Sequence, residues 1–367
     1  MTKLWPFEDP TRRCLKVNEW PETDQQAWYA LFAPGDILDG TMGAGCHWAE
    51  ETRRKYGKGY GRWLTFLITT CQLDQGTTPA AQVTPDLVLA YMDKLRDDGI
   101  ADWTIWGRIA ELLAVVSAFD SGIDWSWLRR IVRYMETNSV DSRNKLPRLR
   151  PAGEIAAWAY GRMDDIIANA PVHNPDSHFR DALMIGLLIT CPTMRLGNLT
   201  MIEIGRHIRQ LDDSYHLSFN ADETKTVKPM SIPVPTSLAP YISHYIDAVR
   251  PGLLQGADSP RLWINRYGKP MKGKGIYLRI TTVTERAFGA PINPHLFRDC
   301  AATTVAIDDP EHIGTAAHLL GHNDPRTTEK HYIQANSLVA GRRLRKSVDA
   351  LRKIHQPHIG KRQGRSS

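Results

Sequence analysis

Apolar positions recur at helical spacing over most of the chain and alternate in one short region. Thr84-Pro85 reads as the N-cap and first-turn proline of a helix. Its apolar stripe is Val88, Tyr91, Met92 and Leu95, and Gly99 stops it. Ile105, Ile109, Leu112, Leu113 and Val116 mark a second helix, and a third is predicted from about 125 to 134. Together these predict a small helical domain over 45–138. Helical patterns over 152–169 and 177–191 then give way to β-like runs at 206–210, 215–219 and 230–234. The intervening Asp212-Asp213 and Asn220-Ala221-Asp222 suit turns, so the runs predict a small antiparallel sheet. Helices resume over 236–248, 274–288, 293–306, 310–320 and 325–335. The predicted class is mainly α with a small antiparallel β-sheet, and there is no internal repeat.

Charge divides the chain further. The net charge is +6, from 46 Lys+Arg and 40 Asp+Glu over 367 residues. Residues 341–367 carry nine Lys/Arg and one acid, so the rest is slightly acidic. Residues 1–50 carry four Lys/Arg against eight Asp/Glu. The predicted plan is a lead of unknown role at 1–44, the helical domain at 45–138, a basic linker at 139–150, a larger domain at 151–340, and a basic C-terminal helix and tail at 341–367. Two basic stretches bracket the helical domain. One holds Arg53, Arg54, Lys55, Lys58 and Arg62; the other runs through Arg143, Lys145, Arg148 and Arg150. Such stretches are commonly solvated faces, but a basic linker between two helical domains suits a phosphate backbone. The acidic lead does not, so no DNA grip is expected from it.

Other classes are disfavoured. No apolar h-region opens the chain, and the longest uncharged apolar stretch, 182–194, is shorter than a membrane span. Five widely spaced cysteines without a CxxC pair fit free thiols in a reducing cytoplasm better than disulfides or a zinc site.

Six residues carry candidate chemistry. Arg195 ends the stretch Cys191-Pro-Thr-Met-Arg195. Lys225 lies in Glu223-Thr-Lys225-Thr-Val-Lys228, in the predicted turn between the second and third strands. His295 and Arg298 share a helix face just inside a start capped by Asn293-Pro294. His322 follows Gly321 in Leu319-Leu-Gly-His322, and Tyr332 lies on the next predicted helix. Singly, each reads as a surface cation, a capping histidine or a packing tyrosine. As an ordered set on these elements, they resemble the catalytic domain of the tyrosine recombinase (phage integrase) family over roughly 151–340. The helical unit at 45–138 resembles that family's core-type DNA-binding domain.

The resemblance implies a two-domain DNA clamp that cuts and rejoins double-stranded DNA at a specific target site through a covalent 3′-phosphotyrosine. Tyr332 would be the nucleophile, Arg195 and Arg298 the phosphate clamp, and Lys225 the general acid. His295 would assist proton transfer, and His322 would bond a phosphate oxygen. It implies no metal or other cofactor, a homo-tetramer on DNA, room for an accessory DNA-bending protein, and a role in integrating or excising a mobile element. Type IB topoisomerase-like or telomere-resolvase-like strand transfer, or a non-catalytic DNA-binding relative, are the alternatives. Three departures stand out. His322 and Tyr332 are ten residues apart where nine is usual, Asn198 stands where Glu is frequent, and Lys228 competes with Lys225.

Overall fold

The computed structural model describes residues 9–36, 38, 40–139, 145–168 and 173–308. The chain splits into two compact units, Met1–Asn144 and Lys145–Ser367.

In the first unit, α1 (Glu22–Ala30) is followed by α2 (Glu50–Thr69), α3 (Pro85–Asp97), α4 (Asp102–Phe119) and α5 (Ser126–Asn138). Thr84 caps α3 as expected, its hydroxyl accepting the Leu87 N–H, and Gly99 takes a positive φ of 73° just past the helix end. Val88, Tyr91, Met92 and Leu95 are buried, as are Ile105, Ile109, Leu112 and Val116 of α4. Leu113 packs at the margin of this core.

Two corrections concern the front of this unit. The acidic lead, read as separate from the helical domain, is part of its core: Trp20, Trp28 and Leu31 are buried with Trp63, Leu64 and Leu67 of α2. Trp20 meets Trp28 and Tyr60 edge-on, at 5.4 and 5.1 Å between ring centres. The Tyr60 hydroxyl donates to the fully buried Asp24 at 2.6 Å, and burial raises that carboxyl's pKa. Second, Arg62, counted with the basic edge, turns inward. It pairs at 2.7 Å with Asp98, whose side chain is 6% exposed, and donates to the Thr11 carbonyl, while Arg12 donates to the Asp98 carbonyl. The lead is thus stapled to α2 and to the end of α3.

Helix α2 is an element that the apolar pattern does not disclose, because Gly57, Gly59 and Gly61 dilute it. Those glycines permit close approach. A methyl on Gly61 would run into the Leu15 carbonyl, and one on Gly59 into Glu111 of α4.

The second unit begins with α6 (Ala152–Ile167), α7 (Pro175–Thr190) and the short α8 (Leu196–Met201). A three-stranded antiparallel sheet follows in the order β1 (Ile208–Leu211), β2 (Ser214–Phe219) and β3 (Met230–Pro233). Asp212-Asp213 makes the β1–β2 turn, with Asp212 at φ 50°. Ile208, Leu217 and Ile232 stand in register across the sheet and are buried. The first strand starts two residues later than its pattern suggests, because the chain first makes a turn in which the Glu203 carbonyl accepts the His207 and Ile208 N–H groups and Gly205 takes a φ of 78°.

The helix predicted over 236–248 is longer and irregular. It runs as α9 (Ala239–His244), a π turn (Tyr245–Val249) and α10 (Arg250–Leu254). Pro251, which has no N–H and crowds the carbonyl four residues back, immediately follows the wide turn. Then come α11 (Gly273–Phe288) and α12 (Pro294–Asp308). The core gathers α7, the sheet, α11 and α12 around Phe179, Trp263 and Phe297. The helices predicted over 310–320 and 325–335, and the C-terminal segment, lie outside the described residues.

Candidate active site

The site is built where α12 begins. The Asn293 side chain accepts the Leu296 N–H at 3.0 Å, and Pro294 is the first helical residue, so cap and proline act as the sequence suggested. Arg298 lies one turn further on, 4% exposed. Its Nη1 donates to the Pro192 and Thr193 carbonyls, each at 2.7 Å. Those carbonyls belong to the turn between α7 and α8, and that turn carries Arg195 at the N-cap of α8. Arg298 therefore fixes the backbone that presents Arg195. Burial, and then the Arg195 charge, push the Arg298 pKa down to about 10. Two guanidiniums held this close repel each other, which is the arrangement expected of an anion site.

His295, on the outer side of α12, is exposed. Desolvation is the largest influence on it and lowers its pKa; Lys145, Arg298 and Arg195 lower it as well, and Asp299 opposes them. A lowered pKa favours the neutral imidazole, the form able to accept a proton.

Lys225 sits in the connection between β2 and β3. It is exposed, as is Lys228. The loop is closed beneath them by Thr224, whose hydroxyl donates to the Lys228 carbonyl at 2.7 Å and accepts the Lys228 N–H at 3.1 Å. Asn198, at the position where Glu is frequent in the resembled family, ties this loop to Arg195. Its amide donates to the Glu223 carbonyl at 3.0 Å, and its Oδ1 accepts the Arg195 N–H at 3.3 Å. Arg195, His295 and Arg298 are thus brought together, and Lys225 is linked to them through Asn198. His322 and Tyr332 lie outside the described residues.

The residues read as DNA contacts divide by what they touch. Arg54 pairs with Glu51 on the surface at 2.6 Å, and Lys58 is exposed. Lys55 approaches Glu111 at 3.7 Å. Arg53 is occupied internally: it donates to the Trp48 and Cys46 carbonyls and lies over the Phe32 ring. Arg148 donates to the Pro291 carbonyl and Arg150 to that of Phe288, so these two fasten the start of the second unit to the segment before α12. Lys145 reaches Asp299 of α12 at 3.5 Å, within electrostatic reach of His295. Its place at the site had no signal in the sequence, where it was simply one cation of a linker. Arg143 lies outside the described residues.

Sequence reasoning also missed His207 and Glu223. Glu223 precedes the Thr-Lys-Thr stretch and could have been noticed there; His207 looks like an ordinary strand residue. Among the described residues, no group of three or more His, Cys, Asp or Glu could hold a metal ion, and no helix is long and apolar enough to cross a membrane.

Residues 162–338 match the model of the phage integrase family. The tyrosine recombinase XerD of Staphylococcus epidermidis is 25% identical over 170 residues, covering 46% of this chain and 55% of that protein. XerD of Staphylococcus saprophyticus is 27% identical over 152 residues, 41% and 49% of the two chains. The chain thus spans about half the length of the curated relatives it matches. Among solved structures, the XerH site-specific recombinase bound to palindromic difH substrate in a post-cleavage complex superposes with a TM-score of 0.52 at 12% identity, over 86% of this chain and 94% of that one. The Tn1549 transposon integrase in complex with transposon right end DNA gives 0.50 at 15% identity, over 86% and 98%. At these identities the likeness is one of fold.

Proposed function

We propose that this protein is a site-specific DNA recombinase working through a covalent 3′-phosphotyrosine, a reading supported by the match of residues 162–338 to the phage integrase family model. The observation that carries the reading is that buried Arg298 holds the turn that presents Arg195, with His295 on the same helix face. Two planar donor forks suit the non-bridging oxygens of a phosphodiester and the charge that grows on them in the transition state.

Tyr332 attacks phosphorus and its phenolic proton passes to His295. The Tyr Oη–P bond forms while the P–O5′ bond breaks, and Lys225 gives its proton to the departing 5′-oxygen. His322 bonds a phosphate oxygen. Bond energy is kept in the phosphotyrosine, so rejoining needs no separate energy source. Both units contribute to duplex binding, with Arg54, Lys55, Lys58, Arg143 and Lys145 among the contacts. A homo-tetramer on two DNA sites, an accessory DNA-bending protein and movement of a mobile element complete the proposal, as does a cytoplasmic location.

Covalent capture tests it. A nicked duplex carrying a verified binding site traps the intermediate, because the cut-off fragment diffuses away. The wild type should give a denaturation-resistant adduct and Tyr332→Phe none. A wild type without adduct defeats the proposal, and an adduct from Tyr332→Phe reassigns the nucleophile. Relaxation of supercoiled DNA that lacks any preferred site would favour topoisomerase-like use of the same chemistry.

A further inference from the structure

We propose that His207 and Glu223 are positioning residues that hold the Lys225 loop at the reacting phosphate. This deepens the recombinase reading and rests on it. His207 is 2% exposed and lies just before β1. Its Nδ1 accepts the Glu203 N–H at 3.0 Å, so in the neutral ring the proton sits on Nε2. That Nε2–H donates to Glu223 Oε1 at 3.1 Å. The same oxygen takes the Arg206 guanidinium, and Oε2 accepts the Asn220 N–H at 2.9 Å. The Asn220 bond leads, with His207 and Arg206 in support, in holding the Glu223 carboxyl below the usual carboxylate range.

Glu223 therefore secures the start of the β2–β3 connection on two sides. Its side chain is fixed to the segment entering β1, and its carbonyl to Asn198, one turn from Arg195. Lys225 projects two residues later from the loop that Thr224 closes. A flexible four-carbon side chain can deliver a proton to one oxygen only if its root is stationary. Misplacement of a reacting group by about 1 Å costs on the order of 100-fold in rate. Neither His207 nor Glu223 touches DNA in this scheme; both act through the lysine.

A leaving group that needs no acid separates positioning from general damage. The duplex is made with sulfur in place of the bridging 5′-oxygen at the scissile phosphate. A thiolate departs unprotonated, because thiols are far more acidic than alcohols. On the oxygen duplex, Glu223→Ala and His207→Phe should form adduct about 30- to 100-fold more slowly than wild type, with Glu223→Gln recovering part of the loss. On the sulfur duplex both variants should come within about 3-fold of wild type, as Lys225→Ala should, while Arg298→Met stays slow on both. Equal deficits of Glu223→Ala on the two duplexes, or no deficit on oxygen, overturn the positioning role. A wild type inactive on both duplexes overturns the recombinase reading and the inference with it.

Discussion

Replacing Arg298 with methionine separates what this side chain does for the fold from what it does for chemistry. Its Nη1 makes two bonds of 2.7 Å to the Pro192 and Thr193 carbonyls. Hydrogen bonds to charged groups contribute about 1.5–3 kcal/mol each, so losing both costs about 3–6 kcal/mol. Against this, burial and the neighbouring Arg195 charge hold the guanidinium pKa down at about 10. That displacement corresponds to roughly 3 kcal/mol disfavouring the charged form, and the substitution relieves it. Methionine refills much of the volume. The balance is a destabilisation of about 0–3 kcal/mol, within the reserve of about 5–15 kcal/mol of an ordinary domain. The variant should fold, and urea unfolding followed by circular dichroism measures the difference. Adduct formation on the nicked duplex should nevertheless fall by about 100- to 1000-fold or more, the usual effect of removing one preorganised donor. A loss above about 5 kcal/mol would sink the electrostatic balance. A rate within about 10-fold of wild type would sink the catalytic assignment.

Two further predictions follow from the same structure. His295 should titrate below its ordinary value when followed by NMR of the imidazole; Lys145→Met should raise its pKa and Asp299→Asn lower it. Because the folded-state pKa is depressed, this group's effect on stability is absent above the unfolded value and appears as a loss of stability as pH falls through that value toward the folded one; a His295 titrating above 6.5 contradicts the reading. Gly61→Ala should destabilise by about 1–3 kcal/mol despite alanine's better helix propensity, because the methyl meets the Leu15 carbonyl. Gly107→Ala in α4, with open space around it, should be neutral or stabilising by up to about 1 kcal/mol, and equal effects at the two sites would refute the packing argument.

What the sequence disclosed follows from how locally each feature is encoded. The caps at Thr84 and Asn293, the stripe from Val88 to Leu95 and the Asp212-Asp213 turn involve residues a few positions apart, so pattern alone reveals them. Helix α2 escaped because its glycines are chosen for what approaches them, namely Leu15 and Glu111, which lie far away in sequence. The place of the lead was illegible for the same reason: net charge says nothing about Trp20 and Trp28 filling a core. At the site, residue types and order suggested Arg195, His295 and Arg298 as a set. The bonds that organise them, Arg298 to the Thr193 carbonyl and Asn198 to the Glu223 carbonyl, use backbone acceptors that no motif can display.

The burial of the lead makes the basic edge on α2 a conditional surface. Three glycines cost that helix about 1 kcal/mol each relative to alanine, so α2 exists chiefly because neighbours grip it: the lead at Leu15 and Trp28, and α4 at Glu111. Arg54, Lys55 and Lys58 lie on that helix, so loosening the grip should disturb how they are displayed. An acidic segment thereby governs a cationic one through packing alone. Cutting back to residue 40 removes two core tryptophans together with the staple at Thr11. DNA affinity lost that way would report the collapse of a helix, and the acidic segment would be mistaken for a DNA-binding arm.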